Sequence, residues 1–295
     1  MKKFIEPATL HGLLFALTTA IAFGFYPPAA RGAYAFGANA VLLIIATVWA
    51  RALAMLLLCF VGRKNIWPQP YEWRSVLYGG AMQALSITTI YFSLLFIPGP
   101  VMIIIVFSHT LMLLGLLVWK KEMALSWYAL AFSILAIIGL SFAVGVWETD
   151  ADISLVGIAL AFTGALFVTG RMYVYGNQLK QADPAVVGAQ AFLVAGVLSL
   201  LLCFYEMPVL PSAEGMDSVY LACLVSALGT CGTFYGIAKL GSFNFSMIMK
   251  MEPIFTSLAS VWLINEILTG SQYAGMALVL GSLVAYQFFE QRMKR

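Results

Sequence analysis

Apolar residues run along this chain in long blocks separated by short polar breaks. A helix crossing a bilayer needs about 20 mostly apolar residues, and on that measure ten blocks qualify: 10–27, 38–61, 75–96, 101–119, 125–146, 153–175, 185–205, 218–238, 243–264 and 270–289. The breaks are short and rich in turn formers, as in PPAARG, RKNIWPQPYEW, IPGP, WETDAD, NQLKQADP and MPVLPSAEG. They leave no room for a soluble domain. The pattern predicts an all-α integral membrane protein of ten transmembrane helices.

Composition agrees: 62% of the 295 residues are hydrophobic and 10% charged, against roughly 45–50% and 25% in soluble domains. Lipid has to be the solvent for so much apolar surface. The net charge of +3 is spread over helix ends rather than gathered on a stripe, which argues against nucleic acid as a partner. Cys59, Cys203, Cys223 and Cys231 all lie inside apolar blocks without metal-ligand spacing and read as small buried hydrophobes. No metal or other cofactor is expected. No small-residue cleavage site follows the first block before Pro27, so the first helix is expected to stay.

Cytoplasmic loops are enriched in Lys and Arg. Placing the N-terminus inside puts 13 of the 16 basic residues on the cytoplasmic side, among them Lys2, Lys3, Lys64, Arg171, Lys180 and Arg295. The other face receives Arg31 and the loop acids Glu148, Asp150, Asp152, Glu206, Glu214, Asp217 and Glu266. Both termini are therefore expected in the cytoplasm, in a multi-pass protein of the cytoplasmic (inner) membrane.

A shift of 144 positions lays the segment from Tyr91 over that from Tyr235, Ser108 over Glu252 and Glu122 over Glu266. Identities are few, but the order of elements repeats: a helix ending in the tyrosine segment, a short turn, another helix, a Glu and a Gly-containing helix. The expected organisation is a first five-helix repeat over 1–147 and a second, inverted repeat over 148–295. Inverted repeats recur in secondary transporters, with the substrate held near the midplane between them.

The stretch KMEPIFTSLASVWLINEILTGSQYAGMALVLGSLVAY resembles the closing signature of the drug/metabolite transporter superfamily, EamA type, with a Glu-Pro in helix 9, a Glu at the next turn and a Gly-rich last helix. The first half departs from it, since Ser108-His109 stands where the second half has Glu252-Pro253. The resemblance implies a central cavity lined mainly by helices 1, 3, 4, 6, 8 and 9, and substrates ranging over amino acids, other metabolites and drugs.

A charge at mid-membrane costs roughly 2.5–3.5 kcal/mol on insertion scales, so it is kept where it finds water, a partner or a ligand. Lys250 and Glu252 in helix 9 are the leading candidates for substrate contact, Lys250 as the receiver of an anionic group. The alternative is helix packing, for instance Glu252 with Arg51. Arg51 in helix 2 is expected to be structural, because the resemblance places helix 2 away from the cavity. His109 is either a hydrogen-bonded structural residue or a cavity group able to change charge near neutral pH, which makes protons the candidate coupling ion. Tyr91 and Tyr235 are either belt aromatics or a pseudo-symmetric pair guarding the two cavity openings, and Tyr26 shares that choice. Gln83, Thr88, Thr230 and Thr233 are polar groups open to substrate contact or to interhelical bonding. Gly229, Gly232 and Gly236 suit tight helix contacts.

The chain has no HExxH, GxSxG, nucleotide loop or carboxylate cluster, so enzymatic activity is not expected. The favoured function is secondary transport of a small zwitterionic or anionic metabolite by alternating access, in the export direction. The alternative is a membrane channel or receptor for a small solute. Oligomeric state is not legible.

Overall fold

A computed structural model describes residues 7–67, 72–148, 154–264 and 267–293. Among them every regular element is helical. The chain forms α1 (Pro7–Ala35), α2 (Ala40–Val61), α3 (Trp73–Ser93), α4 (Gly99–Phe107), α5 (His109–Trp119), α6 (Trp127–Ala143), α7 (Leu155–Gln178), α8 (Pro184–Ser199), α9 (Ala213–Leu240), α10 (Ser242–Ile248), α11 (Glu252–Ile264) and α12 (Gly270–Met293). Several starts follow from a side chain that satisfies an orphan amide. Asn39 accepts from the Leu42 amide, Ser126 from that of Ala129, Ser154 from that of Val156, and Asp183 from that of Ala185, just ahead of Pro184 at the first helical position.

Among the described residues six stretches are long and apolar enough to cross a membrane: Leu10–Ala35, Ala40–Val61, Gly99–Trp119, Leu155–Gln178, Pro184–Phe204 and Ala213–Leu240. The other four blocks of the sequence are also helical but fall short of that standard for visible reasons. The helix α6 has 17 residues. The ninth block is split into α10 and α11 by a tight turn over Met249–Met251. Polar residues dilute α3 (Gln83, Ser86, Thr88) and α12 (Gln272, Ser282, Gln287). Glu266, Asp150, Asp152, Lys2, Lys3, Lys294 and Arg295 lie outside the described residues.

The first helix differs from expectation. PPAARG does not end it: α1 continues through Pro27 and Pro28 to Ala35. Each proline removes an amide donor, leaving the carbonyls four residues back without their helical partner, and a membrane helix tolerates this where the wall opens on a cavity or a neighbour. Pro27 borders such a cavity.

Two groups of helices face one another. In one, α1 packs on α9 and α11; in the other, α7 packs on α3, α4 and α5. The pair α2 and α8 touches both groups, and α6 packs along α12. Small residues set the closest seams. A Cβ on Gly232 would stand 2.2 Å from Thr19 Oγ1 and 2.9 Å from the Phe15 carbonyl, one on Gly229 would meet the Phe23 ring, and one on Gly236 the Phe245 ring. The α6–α12 seam is about as close and meets backbone instead of side chain, because a Cβ on Gly275 would stand 2.3 Å from the Ala143 backbone nitrogen. The chain also breaks at two places 144 positions apart in the alignment above: at Ser108, between α4 and α5, and at Glu252, where α11 begins.

Candidate functional site

Between the two helix groups lies a cavity of about 650 Å³, within the roughly 300–1,000 Å³ of ligand sites. Exposed residues border one end, Arg31 and Tyr34 at the close of α1 and Leu94 after α3, together with half-buried Gln272 early in α12. The other end is floored by Met172, Phe234, Phe245 and Met249, all buried. Phe234 is wedged there between Tyr175 and Phe192, with ring centroids 5.0 and 6.2 Å away.

Beyond Arg31 at the mouth, three charged side chains reach the inner wall from different helices: Arg51 at the middle of α2, Arg171 in α7 and Glu252 at the start of α11. Arg51 is held from three sides. It donates to Ser226 Oγ at 3.2 Å, and its guanidinium carbon lies 5.5 Å from the Phe23 ring centre and 5.7 Å from that of Phe192, both cation–π distances. Arg171 makes no hydrogen bond to any described residue, and its buried Nε has no partner. Glu252 is close enough to both arginines to interact through space, yet the ion pairs among the described residues are Lys64–Asp183 and Lys180–Glu122 alone.

Neutral polar groups complete the wall. His109 donates from Nδ1 to the Val106 carbonyl at 2.8 Å, while its buried Nε2 has no partner among the described residues. Tyr26 and Tyr91 meet hydroxyl to hydroxyl near the open end, with their rings edge to face. Gln83 borders the cavity and receives the Tyr175 hydroxyl at 3.4 Å. Thr230 and Thr233 stand opposite on α9, Thr233 spending its hydroxyl on the Gly229 carbonyl.

Five of the residues expected at the site, Tyr26, Gln83, Tyr91, His109 and Glu252, thus share one cavity. Two expectations of place are corrected. Lys250 is 0% exposed and sits behind the wall, its ammonium donating to the Met247 sulfur at 3.5 Å and to no other described residue. The turn over Met249–Met251 puts Met249 and Glu252 on the cavity and turns Lys250 away from it. Tyr235 also lies off this cavity, in a tilted ring contact with Phe15 at 5.4 Å between centroids. Arg51, by contrast, borders the cavity that helix 2 was expected to avoid. Arg171 escaped the sequence reading because it lies near the end of its apolar block, where a basic residue is expected to snorkel. The i−3, i, i+1 set Val168, Arg171 and Met172 on one face of α7 is the signal that would have found it.

At the sealed end, outside the apolar helices, two ion pairs join the two halves of the chain. Lys64, after α2, meets Asp183 at 2.6 Å; Lys180, after α7, meets Glu122 at 3.2 Å. The hydrogen bond to Asp183 pushes the Lys64 ammonium pKa up. The Tyr173 hydroxyl, 2.6 Å from Glu122, and then Lys180 hold the Glu122 carboxyl below its ordinary value. The α10 segment packs against α5 and α7 at the same end, so closely that a Cβ on Gly176 would lie 2.9 Å from Ser242 Oγ.

Comparison with known proteins gives three findings. Residues 155–286 match the model of the EamA-like transporter family. A stretch of 134 residues is 27% identical to the S-adenosylmethionine/S-adenosylhomocysteine transporter of Chlamydia trachomatis serovar L2 (strain ATCC VR-902B / DSM 19102 / 434/Bu), covering 45% of this chain and 41% of that protein. The chain thus spans about two fifths of the length of the curated relative it matches. A solved structure described only as the crystal structure of a protein superposes with a TM-score of 0.81 at 13% identity, over 96% of this chain and 99% of that one, which establishes a shared fold. The second half of the chain thus matches the EamA-like transporter family over residues 155–286, in line with the resemblance read from its closing helices, and the apolar helices suit a multi-pass membrane protein.

Proposed function

We propose that the protein is a secondary transporter that moves a small zwitterionic or anionic metabolite across the cytoplasmic membrane by alternating access, with export as the working direction. The observation that carries this reading is a cavity open at one end, floored by aromatics at the other, and presenting two guanidinium groups and a carboxylate that do not pair with one another. Charges kept inside a bilayer without partners mark substrate pathways. The solute-binding set is Arg171, Glu252, His109, Gln83, Tyr26 and Tyr91, with Arg51 a structural member of the same wall.

Ten membrane crossings in two inverted five-helix repeats, with both termini cytoplasmic, remain part of this proposal. Supporting them, the packing partners are preserved when each of the first five helical segments is exchanged with its counterpart in the last five. The α1–α9 contact answers α7–α3, α1–α11 answers α7 with α4 and α5, and α2–α8 and α6–α12 map onto themselves. In that orientation the cavity faces outward and the ion pairs lie on the cytoplasmic side. The unpartnered Nε2 of His109 makes this residue the candidate carrier of a coupled proton.

The relative's substrates suit such a site: S-adenosylmethionine and S-adenosylhomocysteine each join an amino-acid head to a flat base. Counterflow of the labelled compounds, with a panel of amino acids, tests the reading in proteoliposomes. Saturable flux accelerated by substrate on the opposite side is expected. Flux linear in concentration indicates the channel alternative, and binding without flux the receptor. A cysteine added after Arg295 should react only from the cytoplasmic face; labelling from outside sinks the topology.

A further inference from the structure

The geometry points to Arg171 as the residue that binds the substrate's carboxylate, with Arg51 holding the wall rather than the ligand; this rests on the transport reading above. The two arginines border one cavity but differ in what they already hold. Arg51 is committed: it donates to Ser226 and lies over the Phe23 and Phe192 rings. The Nε of each arginine is buried without a partner, but among the described residues Arg171 has in addition no hydrogen bond at all, no ring beneath its guanidinium and no carboxylate within 4 Å. A buried cation left in this condition costs several kcal/mol unless something pairs with it.

The neighbours of Arg171 leave the pairing to a ligand. Val168 and Met172 flank it on the same face of α7, both apolar, and the facing wall supplies Glu252, which interacts with it through space without touching. A carboxylate is the group whose geometry matches the guanidinium fork, with two parallel N–H···O bonds. A solute with an ammonium beside that carboxylate also places a positive charge toward Glu252. Lys250, the cation favoured by sequence, is excluded from this role because it has no surface on the cavity.

Two pairs of probes isolate the carboxylate: S-adenosylhomocysteine against its methyl ester, and L-phenylalanine against phenethylamine. Binding to the full-length protein in detergent is measured by thermal stabilisation. At least one acid is expected to bind more tightly than its partner, by roughly 10- to 100-fold, the range of a charged hydrogen-bonded contact. Arg171→Gln should abolish that preference while leaving the ligand-free protein at least as heat-stable, since it removes an unpaired charge. Arg171→Lys should retain part of the preference, and Arg51→Lys should lower stability and keep it. The assignment is overturned if acids and carboxylate-free partners bind alike, if Arg171→Gln keeps the preference, or if Arg171→Gln does not fold. In the first two cases saturable counterflow would still uphold transport, so the two readings fail separately.

Discussion

Replacing Gly275 with alanine sets two effects of similar size against each other. Within a helix the change favours the helical state by about 1 kcal/mol. In α12, however, the new Cβ would stand 2.3 Å from the Ala143 nitrogen, 2.6 Å from the Gly139 carbonyl oxygen and 2.7 Å from the Phe142 carbonyl carbon. Ordinary contact begins at 3.4 Å, so α6 and α12 have to separate by about 1.1 Å (3.4 − 2.3). All three atoms are backbone, and no side chain can rotate out of the way. Overpacking of this kind costs about 1–3 kcal/mol, and the rigid neighbours place it at the upper end. The net expectation is a loss of about 1–2 kcal/mol once the propensity gain is subtracted. Gly281, on the same helix, has nothing within 4 Å of its Cβ position, so Gly281→Ala should gain up to about 1 kcal/mol. Thermal and denaturant unfolding of both variants in detergent gives the comparison. If Gly275→Ala proves as stable as Gly281→Ala, the close α6–α12 crossing is wrong.

Three further outcomes can be measured. Asn39 caps α2 and also ties the α1–α2 turn to the 207–209 segment, donating to the Met207 carbonyl at 2.8 Å and accepting from the Val209 amide at 3.1 Å; Asn39→Ala should cost about 1–3 kcal/mol in unfolding experiments. Gly176→Leu should wedge α7 from α10 at Ser242, and a Met249→Cys reporter should then label faster from the cytoplasmic side in vesicles; unchanged labelling would count against that end as the closed gate. Because the Glu122 carboxyl is held below its ordinary value of 4.5, its stabilising contribution is present above that value and is lost as pH falls through the folded value. The melting-temperature gap between the wild type and Glu122→Gln should accordingly exist at pH 7 and close in acid.

Length and apolarity were enough to place the helical blocks, since each apolar run of the sequence became a helix with short connections. The misreadings came where a local rule met a tertiary override. Pro27 and Pro28 read as a break, but a helix wall facing a cavity tolerates missing amide bonds, and α1 runs on. Lys250 read as a cavity group because depth is legible in sequence while azimuth is not. The three-residue turn over Met249–Met251 rotates it off the wall and brings Glu252 onto it. Arg171 was the reverse case: its block edge suggested an interfacial role, and only the packing of α7 between α3 and α4 turns that face inward. Of the seven site positions named from sequence, five border one cavity, and Lys250 and Tyr235 lie off it.

The two ion pairs that join the halves at the sealed end are partly solvated, with side-chain exposures of 29% and 38% for Lys64 and Asp183, and 62% and 28% for Lys180 and Glu122. Exposed pairs contribute about 0.2–1 kcal/mol each. Together they can tilt a two-state equilibrium by roughly thirtyfold at most, whereas driving it from one extreme to the other takes about 5.5 kcal/mol. They act as a bias and not a lock. Raising the ionic strength should screen them and shift the balance of inward- and outward-facing molecules by a modest factor. On the alternating-access mechanism proposed above, the rest of the barrier to opening would fall to the packed rings around Phe234, which salt does not reach.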